Sequence, residues 1–403
     1  MNTIRKQLLA SAMMLIFAAC GWPAWADDTT PPEAAAAPTP PTLFPAFSGS
    51  LSANSKPTSF NAGPLGNIFV TGIVSGIAQA QDHVVAGDHS AQGDLSNAHI
   101  FINKPTGLVQ FFAQAGAYSL PDIGVPYLTA SKATDAFYGP FSQWFVKLAP
   151  NDSFSIEVGK LPTLIGAEYT FSFENLNVER GLLWNQENAV NRGVQVNYTK
   201  GPLALSASWN DGMYSKKYSW AWLSATYTID PADTLAVIAS GATRHTSVST
   251  LVTPLYLNNE QLYNVIYTHT FGQWTFQPYL QFTYVPTIPA IGALHKASTY
   301  GAALLVNYVF DPKSKLAGFS TPVRVEYIKS TGSLANGAPN LIYGPGSKAW
   351  SITLTPTYQY NAFFARAELS YVGASNTTPG LVFGTSGTDK SQARVLLETG
   401  IIF

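Results

Sequence analysis

Cysteine is nearly missing from this chain: its 403 residues hold one, Cys20. Cys20 precedes an Ala24-Trp25-Ala26 cleavage site, so a mature protein beginning at Asp27 has neither disulfides nor thiol catalysis open to it. Charge is scarce as well. Asp, Glu, Lys and Arg make up 11% of the residues, against roughly 25% in soluble domains, and a soluble fold would struggle to cover its surface. The two signs nearly cancel, for a net charge of −1, which excludes the basic balance a nucleic-acid partner needs. Beyond the first twenty residues no apolar run approaches the ~18 needed for a spanning helix. Aromatics, by contrast, reach 13%. Little charge, many aromatics and no spanning helix leave one economical solution, a closed barrel whose outer face meets lipid.

The ends set the compartment. Arg5 and Lys6 precede an apolar stretch from Leu8 to Ala19 and then the A-W-A site, the pattern of a cleavable secretory signal over 1–26. Lipidation of Cys20 is the competing reading. It is disfavoured by Phe17, a poor residue three places before a lipidated cysteine. Residues 27–47 are rich in proline and alanine and read as a periplasmic tether, with a leader that has no task as the alternative. The barrel then occupies 48–403, and the expected location is the outer membrane of a Gram-negative bacterium.

Strand patterning is clearest in the C-terminal half. Trp274, Phe276, Leu280, Phe282 and Tyr284 alternate with Thr275, Gln277, Tyr279, Gln281 and Thr283. Trp350, Ile352, Leu354, Tyr358 and Tyr360 alternate with Ser351, Thr353, Thr355, Thr357 and Gln359. A period of two with aromatic ends suits strands that cross a bilayer, rings at both interfaces. The same reading along the chain predicts an all-β, antiparallel up-and-down transmembrane barrel of about 16 strands (14–18). The strands fall near 68–81, 97–103, 109–119, 143–148, 154–161, 193–199, 203–209, 219–229, 234–242, 261–271, 274–284, 299–310, 322–329, 349–360, 363–372 and 393–403. Long and short connections alternate between them, and the short ones carry turn residues such as Lys200-Gly201-Pro202 and Gly272-Gln273. An even count puts both termini with the short turns, in the periplasm. Pro278 and Pro356 fall inside two of these strands and predict bulges or local widening.

The chain ends on an alternating segment, Val395, Leu397, Ile401 and Phe403 sharing one parity, and the terminal Phe403 looks like the signal read by the barrel-assembly machinery. The segment 159–198, GKLPTLIGAEYTFSFENLNVERGLLWNQENAVNRGVQVNY, resembles the β-barrel porins of the OmpL-like group. There a G-K-x-x-T-x-x-G-x-E strand exit leads into a long loop and an R-G-V-x-V-x-Y strand returns, as Arg192–Tyr198 does here. Trp209-Asn210-Asp211-Gly212 adds to the similarity, which covers about Asn67 to Phe403. The resemblance implies an outer-membrane barrel strongly and a particular solute hardly at all.

Most of the candidate chemistry lies in the long connection 162–192. It carries Glu168, Glu174, Glu179 and Glu187 with Arg180 and Arg192, beside Phe171, Phe173, Leu182 and Trp184. Charges next to buried aromatics need an aqueous or paired environment, so the segment reads as a pore constriction folded into the lumen; a loop packed over the rim is the alternative. Strand parity places Arg324, Glu326, Arg366, Glu368, Arg394 and Glu398 inward, because Arg facing mid-bilayer lipid costs about 2–4 kcal/mol. They line a polar path, form a paired wall ladder, or do both. Asp82-His83 and Asp88-His89 read as solvated loop residues rather than a metal site, and no motif calls for a cofactor. No nucleophile elbow, H-E-x-x-H or P-loop is present, so an enzyme is not expected. The function expected is a porin passing small hydrophilic solutes, with outer-membrane lipid around it; the alternative is a structural or surface-interaction barrel with a plugged lumen. The oligomeric state stays open, a homo-oligomer being one option.

Overall fold

The computed structural model describes residues 43–403 apart from Ala46. The signal segment 1–26 and most of the tether 27–47 lie outside the described residues. Sixteen transmembrane strands form one closed antiparallel barrel. In chain order they are β1 (Asn67–Gln81), β2 (Ala91–Lys104), β3 (Val109–Tyr118), β4 (Gln143–Asn151), β5 (Phe154–Pro162), β6 (Val190–Lys200), β7 (Leu203–Asn210) and β8 (Trp220–Asp230). There follow β9 (Asp233–Ala242), β10 (Gln261–Phe271), β11 (Trp274–Val285), β12 (Ala297–Val309), β13 (Phe319–Ser330), β14 (Lys348–Leu354 continued by Thr357–Tyr360), β15 (Phe363–Ser375) and β16 (Ser391–Ile402). Each pairs with its chain neighbours, and β16 closes the ring on β1, from Arg394 opposite Gln81 to Ile402 opposite Ile73. A further short strand, Thr58–Asn61, pairs with the start of β1. No sheet edge is left facing lipid along the spanning region, as a bilayer without water requires.

Side-chain alternation gives the wall its two faces. On β11 the exposed residues Trp274 and Leu280 alternate with buried Tyr279, Gln281 and Thr283. Outward aromatics gather toward both strand ends. Trp274 lies 4.6 Å from Tyr308, and Phe319 the same distance from Tyr358, at the short-turn end. Phe282 and Tyr300 (5.0 Å) and Trp350 and Tyr371 (5.3 Å) pair at the other end. Between the belts the outer face is Val265, Leu304, Val325, Ile352, Leu369 and Val395, all exposed. Such a band against lipid is what a barrel needs in order to sit at one depth.

The prolines do not make bulges. Across Pro278 the pairing runs from Ile266 opposite Tyr279 to His269 opposite Phe276 with no change of register. Across Pro356 it runs from Val323 opposite Leu354 to Ser320 opposite Thr357, again unshifted. Each proline leaves a gap in the ladder because it has no N–H to donate. A bulge does occur where it was not expected, on β2. Ser75 faces Asn97 while Gly76 faces Leu95, so Ser96 is an extra residue. Ser96 and Asn97 are therefore both buried, the parity flips, and β2 starts at Ala91 rather than near 97.

Candidate functional site

The segment between β5 and β6, residues 163–189, lies inside the barrel. It is three residues shorter at its far end than the sequence suggests, because Val190, Asn191 and Arg192 already belong to β6. Charge pairs fasten it to one side of the wall. Arg324 on β13 reaches Glu168 at 2.5 Å and the Glu179 carbonyl at 2.7 Å, and its own strand neighbour Glu326 at 3.1 Å. Arg394 on β16 pairs with Glu179 at 2.7 Å. Arg366 on β15 pairs with Glu398 at 3.4 Å and donates to the Ser172 carbonyl at 2.9 Å. These guanidiniums, 0–2% exposed, each have carboxylates or carbonyls around them, the condition for keeping a buried charge.

The wall carboxylates hold the loop backbone in turn. Glu368 accepts the N–H groups of Val178 (2.6 Å) and Glu179 (2.8 Å), and Glu326 those of Leu182 (3.0 Å) and Leu183 (3.2 Å). Gly181 lets the chain come this close: a Cβ there would overlap the carboxylates of Glu326 and Glu168. Ser172 donates to Glu398 at 2.9 Å. Charge-assisted bonds of this kind are roughly twice as strong as neutral ones, and they act in sequence along the loop.

Apolar contacts complete the docking. Phe171 and Phe173 join Phe101, Tyr118 and His99 in a buried aromatic group against β2 and β3, with His99 and Phe171 4.8 Å apart. Leu182 and Leu183 pack with Trp222, Leu262 and Ile328.

All six wall residues singled out by parity point inward, yet none lines open space. Arg324, Glu326, Arg366, Glu368, Arg394 and Glu398 are covered by the loop they anchor. That corrects the expectation of a polar path along them; the paired-wall alternative fits, with the loop as a third party. Of the loop residues, Glu168 and Glu179 sit in this network. Arg180 turns the other way, 2.5 Å from Asp122 in the β3–β4 connection and over the Trp184 ring at 5.4 Å. Glu174 accepts the Phe171 N–H at 3.0 Å. Glu187 accepts the Tyr279 hydroxyl, and burial pushes its carboxyl up to about 8. Arg192 stands apart at the rim, paired with Asp211 at 2.9 Å and stacked on Tyr214 at 3.7 Å. Asp122, Asn264 and Tyr279 were not anticipated. For Tyr279 the available signal is its place on the amide-rich parity of β11.

The loop leaves space on the opposite side of the lumen. A cavity of about 240 Å³ lies between Gly166, Ala167, Glu168 and Tyr169 of the loop and Ser224, Thr226, Thr234 and Ala236 of β8 and β9. Toward the long connections a second cavity of about 470 Å³ is lined by Tyr127, Lys132, Trp184, Glu187 and Leu257. At the short-turn end the N-terminal segment crosses beneath the loop. The Phe44 N–H and carbonyl bond the Asn103 side chain (3.0 and 2.8 Å), and Phe47 packs on Phe173 at 5.5 Å. Ser50 donates to the Leu176 carbonyl at 3.2 Å, and Ser52 exchanges hydrogen bonds with Gln359 at 2.7 and 2.9 Å. A closed barrel with lipid-facing belts and a long loop folded into a polar interior is the architecture of an outer-membrane diffusion channel.

The model of the family described as "Putative beta-barrel porin-2, OmpL-like" matches residues 67–403, and the chain belongs to that family. It is an outer-membrane porin of a Gram-negative bacterium, embedded in lipid, through which small solutes diffuse passively. Among curated proteins no match is found. Among solved structures it is similar to an anion-selective porin from Comamonas acidovorans, with a TM-score of 0.58 at 11% identity, covering 83% of this chain and 99% of that one. It is also similar to OmpT, an outer membrane protein of Vibrio cholerae (TM-score 0.55, 10% identity, 85% and 98% covered). A third likeness is to the outer membrane channel DcaP of Acinetobacter baumannii (TM-score 0.54, 9% identity, 84% and 97% covered). At these identities the likeness is one of fold.

Proposed function

We propose that loop 163–189 is the constriction of this porin, that small hydrophilic solutes pass between it and the β7–β11 side of the wall, and that the channel prefers cations. The observation that carries this is the one-sided anchoring. The loop is bonded to β13, β15 and β16, while the cavity opens toward Ser224, Thr226 and Thr234 on the far wall. Short hydroxyl side chains there offer solutes replacement for water at little steric cost. Carboxyls outnumber guanidiniums in the filled interior, so its charge turns negative as they ionise. Against Arg180, Arg324, Arg366 and Arg394 stand Asp122, Glu168, Glu174, Glu179, Glu187, Glu260, Glu326, Glu368 and Glu398. Confined solvent makes that surplus weigh more than the same charge at a wide mouth. The reading is of a channel without an enzymatic role. Assembly relies on the C-terminal strand, whose Phe403 bonds Gly72 on β1 through both backbone groups (2.8 and 2.9 Å).

Shortening the loop by removing residues 170–178 should raise single-channel conductance in a planar bilayer, with the compact heat-modifiable band confirming a folded barrel. Unchanged conductance would place the loop outside the conduction path. A folded wild-type chain that never conducts would return the interior to the plugged alternative.

A further inference from the structure

We infer that the passage through the constriction runs past Glu187, and that this carboxylate selects small cations at the junction of the two lumenal cavities. The inference rests on the reading of loop 163–189 as the constriction and names the residue that sets its preference. Glu187 lines the outer cavity of about 470 Å³, and Gly166 lines the inner one of about 240 Å³. The two residues touch: a Cβ built on Gly166 would overlap Oε2 of Glu187. Gly166 holds a left-handed backbone, φ +80°, which a side chain would also strain. The Glu187 carboxylate is therefore the partition between the two cavities.

Its bonding is unlike that of the other loop glutamates. Glu168 and Glu179 each have an arginine, and Glu174 accepts the Phe171 N–H. Glu187 has only the Tyr279 hydroxyl on Oε1, and Oε2 has no partner among the described residues although the residue is 8% exposed. An acceptor this buried and this free points to an occupant that brings positive charge. The neighbouring groups suit a cation losing part of its water. Asn264 accepts the Gly166 N–H at 3.2 Å and donates to the Tyr279 oxygen at 2.9 Å and to Gln281 Oε1 at 3.0 Å.

Across the outer cavity Glu187 shares a lining with Lys132, Arg180 and Asp122, while the ionisable groups packed against it from the wall and the loop are acidic. They are Tyr279 from β11, Glu168 from the loop itself, Glu326 from β13 and Glu260 from the 243–260 connection. Glu260 is fully buried with neither oxygen partnered, in the inward row of Leu262 and Asn264. Burial raises the Glu187 carboxyl to about 8, so it is neutral at pH 6 and charged at pH 9. The pull on cations grows as pH rises across that interval.

Reversal potentials of the full barrel in a KCl gradient, at pH 6 and pH 9, test this. The wild-type preference for potassium over chloride should rise from pH 6 to pH 9. Glu187→Gln should lose that rise while keeping the compact band. A wild-type ratio that does not change between the two pH values would overturn the inference without any variant. So would a folded Glu187→Gln channel that keeps the wild-type rise. If either is seen while the loop-shortened variant still gains conductance, the assignment of Glu187 fails and the constriction reading stands. If the shortened variant does not gain, the constriction reading itself has failed.

Discussion

Replacing Arg324 by methionine should release loop 163–189 without opening the barrel wall. The guanidinium is fully buried and makes four contacts: Glu168 at 2.5 Å, the Glu179 carbonyl at 2.7 Å, Glu326 at 3.1 Å and Thr353 at 3.3 Å. Two of these belong to the loop and two to the wall. Methionine fills most of the volume of the stem, so the loss is electrostatic rather than a cavity. Removing one member of a buried pair costs about 3–5 kcal/mol, because the remaining charge stays buried and uncompensated. At about 1.4 kcal/mol per tenfold, the docked loop becomes disfavoured by roughly a hundred- to several-thousand-fold. Single-channel traces should then show a larger conductance state and open-channel noise absent from the wild type. Adding Glu168→Gln removes the stranded carboxylate and should recover part of the docking, since Glu326 keeps its bonds to Ser351 and to the Leu182 and Leu183 N–H groups. Wild-type conductance and noise in a folded Arg324→Met channel would refute the anchoring argument. Neutralising Glu168 or Glu179 strands Arg324 or Arg394 and moves the loop, so it does not report on selectivity alone.

Three further outcomes are expected. Deleting residues 27–56, so that the chain enters at Pro57, removes the segment joining Asn103 to Gln359 beneath the loop and should raise conductance; unchanged conductance would put that segment outside the path. Phe403→Ser should lower the yield of the compact barrel on heat-modifiability gels, because the Phe403 ring covers Gly72 on β1 at the closing seam; assembly at wild-type yield would remove the seam from the argument. Single cysteines at Ser247 and Asn336, both exposed in long connections, should react with an impermeant maleimide in intact cells, and one at Ala362 should not; the reverse pattern would invert the orientation.

How far the sequence carries depends on whether a residue's neighbours are periodic. The barrel strands are, and the alternation from Trp274 to Tyr284 recovers β11, Trp274–Val285, to within a residue. The exceptions have local causes. Ser96 is inserted opposite Ser75 and Gly76, so the parity that would announce the start of β2 breaks in its middle. Pro278 and Pro356 each remove a rung but keep the register, a distinction that needs the partner strand. The loop is legible in composition but not in role. Its glutamates, arginines and phenylalanines signal an interior, and six inward wall charges signal something to bind. Nothing in linear order says that Arg324 meets Glu168, 156 positions away, or that Glu368 takes the Val178 N–H across 190. Those pairings also explain the scarcity of charge. In a wall with lipid outside, an ionised side chain is tolerated only where a partner waits inside. Of the two buried loop glutamates without an arginine, Glu174 and Glu187, it is Glu187 that keeps an oxygen without a partner among the described residues, at the junction of the two cavities, which is why the proposed role falls to it.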